Sequence, residues 1–164
     1  MSEDNKPCWL DSLAVAARTG SAYPAPFDEA VAGRAKRALG NALDLTQFGV
    51  NLVTLPPGAW SSQRHWHKNE DEFVYVLEGE ATLVTDAGEK VLTPGMAAGF
   101  PAGRADGHHL INRGDKPVLY LEVGTRASIE EAQYSDVDMA ARKDGGSFVF
   151  TRKNGDSFPG DSFP

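Results

Sequence analysis

Several familiar devices are missing from this 164-residue chain. It has one cysteine, Cys8, so no internal disulfide forms and no thiolate zinc knot is available to staple the fold. A reducing, cytoplasmic setting is the expectation that follows. No run approaches the roughly 20 apolar residues needed to cross a bilayer. The short Leu10–Ala17 segment contains Asp11 and is followed by Arg18, unlike the apolar stretch of an export signal. Positive charge is scarce: 16 Lys and Arg against 23 Asp and Glu leave a net charge of −7, which argues against nucleic acid or an anionic membrane as partner. Histidine is rarer still, with four in the chain.

What is present is a core-forming composition, 41% apolar and 24% charged, punctuated by 17 Gly and 10 Pro. Between these breakers lie short runs rich in Val, Leu, Phe and Tyr: Gln47–Leu55, Glu72–Leu77, Ala81–Thr85, Lys90–Leu92, His108–Asn112 and Val118–Val123. Turn chemistry bounds each run, as in Pro56-Pro57-Gly58, Glu78-Gly79, Pro94-Gly95 and Asn112-Arg113-Gly114-Asp115. The pattern predicts an all-β sandwich or barrel of at least six strands. Residues 1–45 read as an N-terminal arm, with a weak helix signal at Ser12–Arg18. Residues 46–125 read as the barrel, and 126–164 as a C-terminal extension. That extension ends in a tandem repeat, Gly155-Asp156-Ser157-Phe158-Pro159 and Gly160-Asp161-Ser162-Phe163-Pro164, expected to be a mobile tail. Alternation along Glu72–Leu77 puts Val74 and Val76 on one face and Phe73, Tyr75 and Leu77 on the other. Two apolar faces call for two covers, and the arm or a second copy of the chain is expected over the Phe/Tyr/Leu face, hence a homodimer.

The four histidines fall in two pairs, His65 with His67 and His108 with His109. On a strand, positions i and i+2 share a side, so His65 and His67 project together while Arg64, Trp66 and Lys68 face away; core packing is expected for Trp66. Four residues separate His67 from Glu72, room for an antiparallel turn that would bring the carboxylate beside the imidazole. Glu70 and Asp71, within that turn, read as solvated acids. The strand that begins at His108 offers a fourth donor from across a barrel. Imidazole and carboxylate donors suit one divalent transition metal per chain (Fe, Mn, Ni, Zn, Co or Cu) and suit Ca or Mg poorly. Four ligands on an octahedral ion leave positions open for a small molecule.

Taken with the glycines, these residues resemble the two motifs of the cupin superfamily. The first motif corresponds to Gly58, His65, His67, Glu72 and Gly79, with one extra residue before His65. The second corresponds to Gly95, Pro101, Gly103, His108 and Asn112, with Arg104-Ala105-Asp106-Gly107 standing where the family usually has two residues. The resemblance implies a double-stranded β-helix, or jelly-roll barrel, holding a metal on His65, His67, Glu72 and His108. The spacing to Asn112 favours His108 over its neighbour His109 as the fourth ligand; with His108 inward, His109 would face outward as an ordinary polar residue. Gly79, Gly95 and Gly103 are expected at turns of positive φ. Arg104 and Asp106, next to the ligand strand, are the candidate anion anchor and acid/base. Cupins include dioxygenases, decarboxylases, isomerases, lyases and ligand-sensing modules. The reading adopted is a small-molecule metalloenzyme, dioxygenase-like ahead of lyase or isomerase; the alternative is a non-catalytic sugar or small-ligand binding module.

Overall fold

The computed structural model describes residues 7–159. Thirteen strands follow in chain order: β1 (Arg18–Thr19), β2 (Ala35–Ala38), β3 (Phe48–Leu55), β4 (His65–His67), β5 (Glu72–Glu78), β6 (Ala81–Thr85), β7 (Gly88–Leu92), β8 (Ala97–Phe100), β9 (His109–Ile111), β10 (Val118–Thr125), β11 (Ile129–Tyr134), β12 (Ala140–Asp144) and β13 (Val149–Thr151). All pairings are antiparallel. One six-stranded sheet runs β1-β2-β3-β10-β5-β8; facing it are a four-stranded sheet, β13-β12-β11-β4, and a three-stranded sheet, β7-β6-β9. Isolated bridges at Trp60↔Ile111 and His65↔His108 stitch the smaller sheets together. The result is a jelly-roll β-barrel. Among the described residues no helix is long and apolar enough to cross a membrane.

The six strand runs of the sequence are all present, and the alternation within them builds the interior. Val53 and Leu55 of β3, Val74 and Val76 of β5, and Val118 and Tyr120 of β10 point inward and are buried, meeting Ala81, Leu92 and Leu110 from the opposite side. Gly79, Gly95 and Gly103 adopt the positive φ expected of them. At Gly79 the requirement is double: φ is +75°, and a Cβ there would stand 2.6 Å from the Pro117 carbonyl oxygen.

Three expectations change. The arm does not cover the outer face of β5: its strands β1 and β2 extend the large sheet beyond β3, edge to edge, and leave Phe73, Tyr75 and Leu77 between 37% and 43% exposed. The helix signal at Ser12–Arg18 yields only a single 3₁₀ turn, Ser12–Ala14, capped by the Asp11 side chain. The first copy of the C-terminal repeat is packed, not mobile. Phe158 is buried among Tyr134, Met139 and Tyr23, its ring edge-on to Phe27, and Ser157 bridges to Thr151. An aromatic side chain that finds such a slot outweighs the conformational freedom of the Gly and Pro around it. The second copy, Gly160–Pro164, lies outside the described residues.

Candidate metal centre

β4 is held on one edge by β11, with Ala132↔His67 and Tyr134↔His65 in register, and at its start by the bridge to His108. The hairpin expected between His67 and Glu72 is therefore corrected: β4 and β5 lie in different sheets. β5 pairs with β10 and β8 instead, and Glu72 reaches the histidines across the barrel interior. The intervening residues 68–71 cross from one sheet to the other, and three of their N–H groups find acceptors there: Lys68 and Asn69 donate to the Glu130 carboxylate and Asp71 to Thr125 Oγ1.

The side chains nonetheless converge as the motifs require. His65 Nε2 lies 3.0 Å from His67 Nε2, Glu72 Oε2 lies 3.7 and 3.6 Å from those two nitrogens, and His108 Nε2 lies 2.8 Å from the same carboxylate oxygen. Donors bound at about 2.1 Å stand roughly 3.0 to 3.5 Å apart around one ion, and these separations fall within a few tenths of an ångström of that range. His65, His67 and Glu72 form a group that can hold a metal ion. The His65 tautomer agrees. His65 Nδ1 is 2.8 Å from the Gln63 carbonyl oxygen, which only accepts, so the proton is on Nδ1 and the Nε2 lone pair faces the cluster. A nitrogen lone pair facing other acceptors at such range is well suited to a cation. Burial pushes His65 down to about 3, with Glu72 opposing, so its ring is neutral at pH 7. Burial raises the Glu72 carboxyl, but the His108 hydrogen bond and the neighbouring imidazoles outweigh it and hold the group below the usual carboxylate range.

Phe100 lies flat on His108, the ring centroids 3.5 Å apart and the planes 1° from parallel. This stacked pair borders two cavities. The inner one, about 120 Å³, is lined by His65, Glu72 and His108 and by Lys36, Tyr120 and Glu122. Lys36 Nζ is 2.6 Å from Glu122 Oε1, and among the described residues the fully buried Tyr120 hydroxyl has no hydrogen-bond partner. The outer cavity, about 210 Å³, is lined by His67, His108, Trp66, Phe100, Arg104 and Asp106 among others. Arg104 and Asp106 thus share a wall with two of the candidate ligands. Arg104 is exposed and only loosely paired, 3.7 Å from Asp106, whose other oxygen accepts from the Asp86 backbone N–H.

Further corrections concern neighbours. His109 is not an outward polar residue: it is buried, its Nδ1 donates to the Ser62 carbonyl oxygen at 3.0 Å, and its ring meets Trp60 edge-on. The side of β9 opposite the candidate metal centre is covered by residues 60–62, which is why both adjacent histidines are enclosed. Trp66 is half-buried on the outer cavity and does not pack in a core. Glu70 is not a solvated acid: it is buried, 2.6 Å from Lys143 Nζ, and accepts from the Ala127 N–H. Sequence reasoning passed over Lys36, Tyr120, Glu122 and Glu130. Alternation from Val118 places Tyr120 and Glu122 on the inward face of β10, a signal that was available; Lys36 and Glu130 sit outside both motifs and offered none.

Comparison with known proteins agrees with this architecture. The family described as Cupin domain matches residues 51–124. A crystal structure of a sugar phosphate isomerase of the cupin superfamily from Silicibacter pomeroyi is 49% identical, over 93% of this chain and 98% of that one, with a TM-score of 0.89. A second structure, from Acidithiobacillus ferrooxidans and assigned as a sugar phosphate isomerase, is 29% identical over 74% of this chain and 77% of its own, with a TM-score of 0.69. Oxalate decarboxylase of Bacillus subtilis is 31% identical over 110 residues, 58% of this chain; the chain spans about a quarter of that protein's length, 26%. With both histidine motifs on the strands of a jelly-roll barrel, the chain belongs to the cupin superfamily.

Proposed function

We propose that the protein is a divalent-metal-dependent enzyme that isomerises a small phosphorylated sugar, with His65, His67, Glu72 and His108 holding one transition-metal ion. The observation that carries the metal reading is the convergence of His65 Nε2, His67 Nε2 and Glu72 Oε2 at 3.0 to 3.7 Å, with His108 Nε2 2.8 Å from the same carboxylate oxygen. Two of the similar structures bear the name sugar phosphate isomerase, and this weights isomerisation above the oxygenase chemistry expected from the motifs. When bound, a divalent ion supplies Lewis-acid polarisation of a substrate oxygen. The chain supplies the rest. The Gln63 carbonyl fixes the His65 ring. Phe100 and His108 form a flat wall beside which a small molecule lies. At the outer cavity Arg104 anchors the phosphate, its guanidinium being exposed and loosely held, and Asp106 carries a proton to or from the sugar.

The exposed row Phe73, Tyr75 and Leu77 supports a homodimer joined through the outer face of the large sheet. Cytoplasmic residence remains part of the reading, in keeping with the free Cys8. The test of function is elemental analysis of protein purified without chelator or His-tag, followed by isomerase assays on aldose and ketose phosphates. About one transition-metal ion per chain and interconversion of a sugar phosphate are expected. Metal without turnover of any phosphorylated sugar would leave the binding-module alternative standing.

A further inference from the structure

Behind His67, on the side away from Glu72, lies a second acidic group. Glu130 of β11 is 0% exposed, and its Oε1 is 3.4 Å from His67 Nδ1. The Glu70 carboxylate is 4.0 Å from the same nitrogen. His67, Glu70 and Glu130 together satisfy the distances of a cation site, but the side chains are already engaged. Lys143 places its ammonium 2.6 Å from Glu70, and Ala127 N–H donates to the same oxygen. Glu130 accepts from Lys68 N–H at 2.8 Å through Oε1 and from Asn69 N–H at 2.9 Å through Oε2. A second ion there would compete with a lysine and three backbone donors.

Two facts give Glu130 another role. It is a wholly enclosed carboxylate, and among the described residues no lysine or arginine forms an ion pair with it. Such a group is costly to bury unless its lone pairs are used. His67 Nδ1 is itself buried and, among the described residues, lacks a hydrogen bond. If that nitrogen carries the proton, leaving it unpaired costs about 1–3 kcal/mol. With Glu130 Oε1 3.4 Å away, a proton on Nδ1 has a carboxylate as its acceptor.

We infer that Glu130 is a positioning residue for the metal centre: it accepts the His67 Nδ1 proton and so commits the Nε2 lone pair to the ion. The inference rests on the metal reading above. His65 has the same arrangement with a backbone carbonyl, Gln63, in the place of the carboxylate. A carboxylate acceptor makes the imidazole a stronger donor to a cation than a carbonyl does. Because the Lys68 and Asn69 N–H groups clamp both oxygens, the acceptor is fixed before any ion arrives.

The test uses the full chain with Zn(II) as probe, in competition with a chromophoric chelator. Glu130→Gln should weaken Zn(II) binding by about ten- to hundredfold, while circular dichroism shows a folded barrel. In the Zn(II)-loaded wild type, NMR of the imidazoles should show the His67 Nδ1–H proton shifted further downfield than that of His65, as a carboxylate acceptor requires, a readout that needs no variant to fold and that a purely structural Glu130 would not move. A folded Glu130→Gln protein with wild-type Zn(II) affinity, or a His67 Nδ1–H proton in the Zn(II)-loaded wild type no further downfield than that of His65, would overturn the role of Glu130. Wild-type metal content in His67→Ala would instead overturn the metal centre itself.

Discussion

His65 and His108 stand opposite each other in an antiparallel bridge, each donating its backbone N–H to the other's carbonyl, at 3.2 and 2.9 Å. Their ring centroids are 5.1 Å apart. Backbone pairing therefore sets the distance between a ligand of the first motif and a ligand of the second, whatever the length of the chain between them. His109, one residue on, faces the other way and packs on Trp60. Alanine variants should separate the two roles. His108→Ala should lose most of the bound metal, measured by elemental analysis. His109→Ala should keep it while losing about 2 kcal/mol of stability from the vacated ring site. Retained metal in His108→Ala would reverse the assignment.

Stability of the metal-free chain should depend on pH in a definite direction. His65 is held at about 3 when folded, by burial first, and titrates near 6.5 when unfolded. Between those values the unfolded chain binds the proton and the folded chain does not, so stability falls as pH drops from about 6.5 toward 3. Glu72, also lowered in the folded state, adds a loss in the same direction below its unfolded value near 4.5. Thermal unfolding in chelator at a series of pH values should show Tm falling steadily below pH 6.5. His65→Gln, which cannot be protonated, should flatten the upper part of that slope; an unchanged slope would remove His65 as its source.

How much of this was legible in the sequence depended on whether the information was local. Alternation and turn residues marked β3, β5, β6, β7, β9 and β10, and i, i+2 spacing put His65 and His67 on one side. The partner of β4 was not local information. A short gap between His67 and Glu72 suits a hairpin as well as it suits a crossing between sheets, and the choice was made by β11, which carries no motif. The same reason hid Glu130: its carboxylate matters only because β11 lies against His67. Glu70 looked solvated because polar residues in a short loop usually are, whereas here Lys143, distant in sequence, closes over it.

Gly79 offers a test of the fold apart from the site. Its φ of +75° disfavours any side chain, and a Cβ would press on the Pro117 carbonyl at 2.6 Å and on Val118 beyond it. The left-handed conformation alone costs a non-glycine residue about 1–2 kcal/mol, and the backbone contact adds to it. Gly79→Ala should therefore lower stability by at least about 2 kcal/mol in denaturant titrations, with metal content per folded molecule unchanged. A loss below about 0.5 kcal/mol would mean the turn relaxes freely.

The outer face of the large sheet makes a prediction about assembly. Phe73, Tyr75 and Leu77 of β5 are exposed side by side, and the cross-strand register sets Leu121 and Val123 of β10 against Tyr75 and Phe73. A contiguous apolar patch of this kind is the usual core of an interface between copies. Sedimentation at micromolar concentration should give a dimer for the wild type and a monomer for Tyr75→Lys, which places a charge in the middle of the row. A wild-type monomer would show that the face is left bare.

Arg104 provides the sharpest distinction between substrates. Its side chain is 68% exposed and its contact with Asp106 is 3.7 Å, too long for a firm ion pair, so little in the folded protein competes for its charge. It lies on the wall shared with His67 and His108, which places an anion anchor beside the candidate metal without making it a ligand. If the substrate carries a phosphate there, Arg104→Ala removes binding that is equal in the ground and transition states. KM for the phosphorylated sugar should then rise about tenfold or more with kcat little changed, and the unphosphorylated sugar should be handled alike by both proteins. Asp106→Asn should act on kcat instead, because a proton carrier is needed at the step itself. An equal fall in kcat for both substrates in Arg104→Ala would place the guanidinium at the reacting carbons, not at the phosphate.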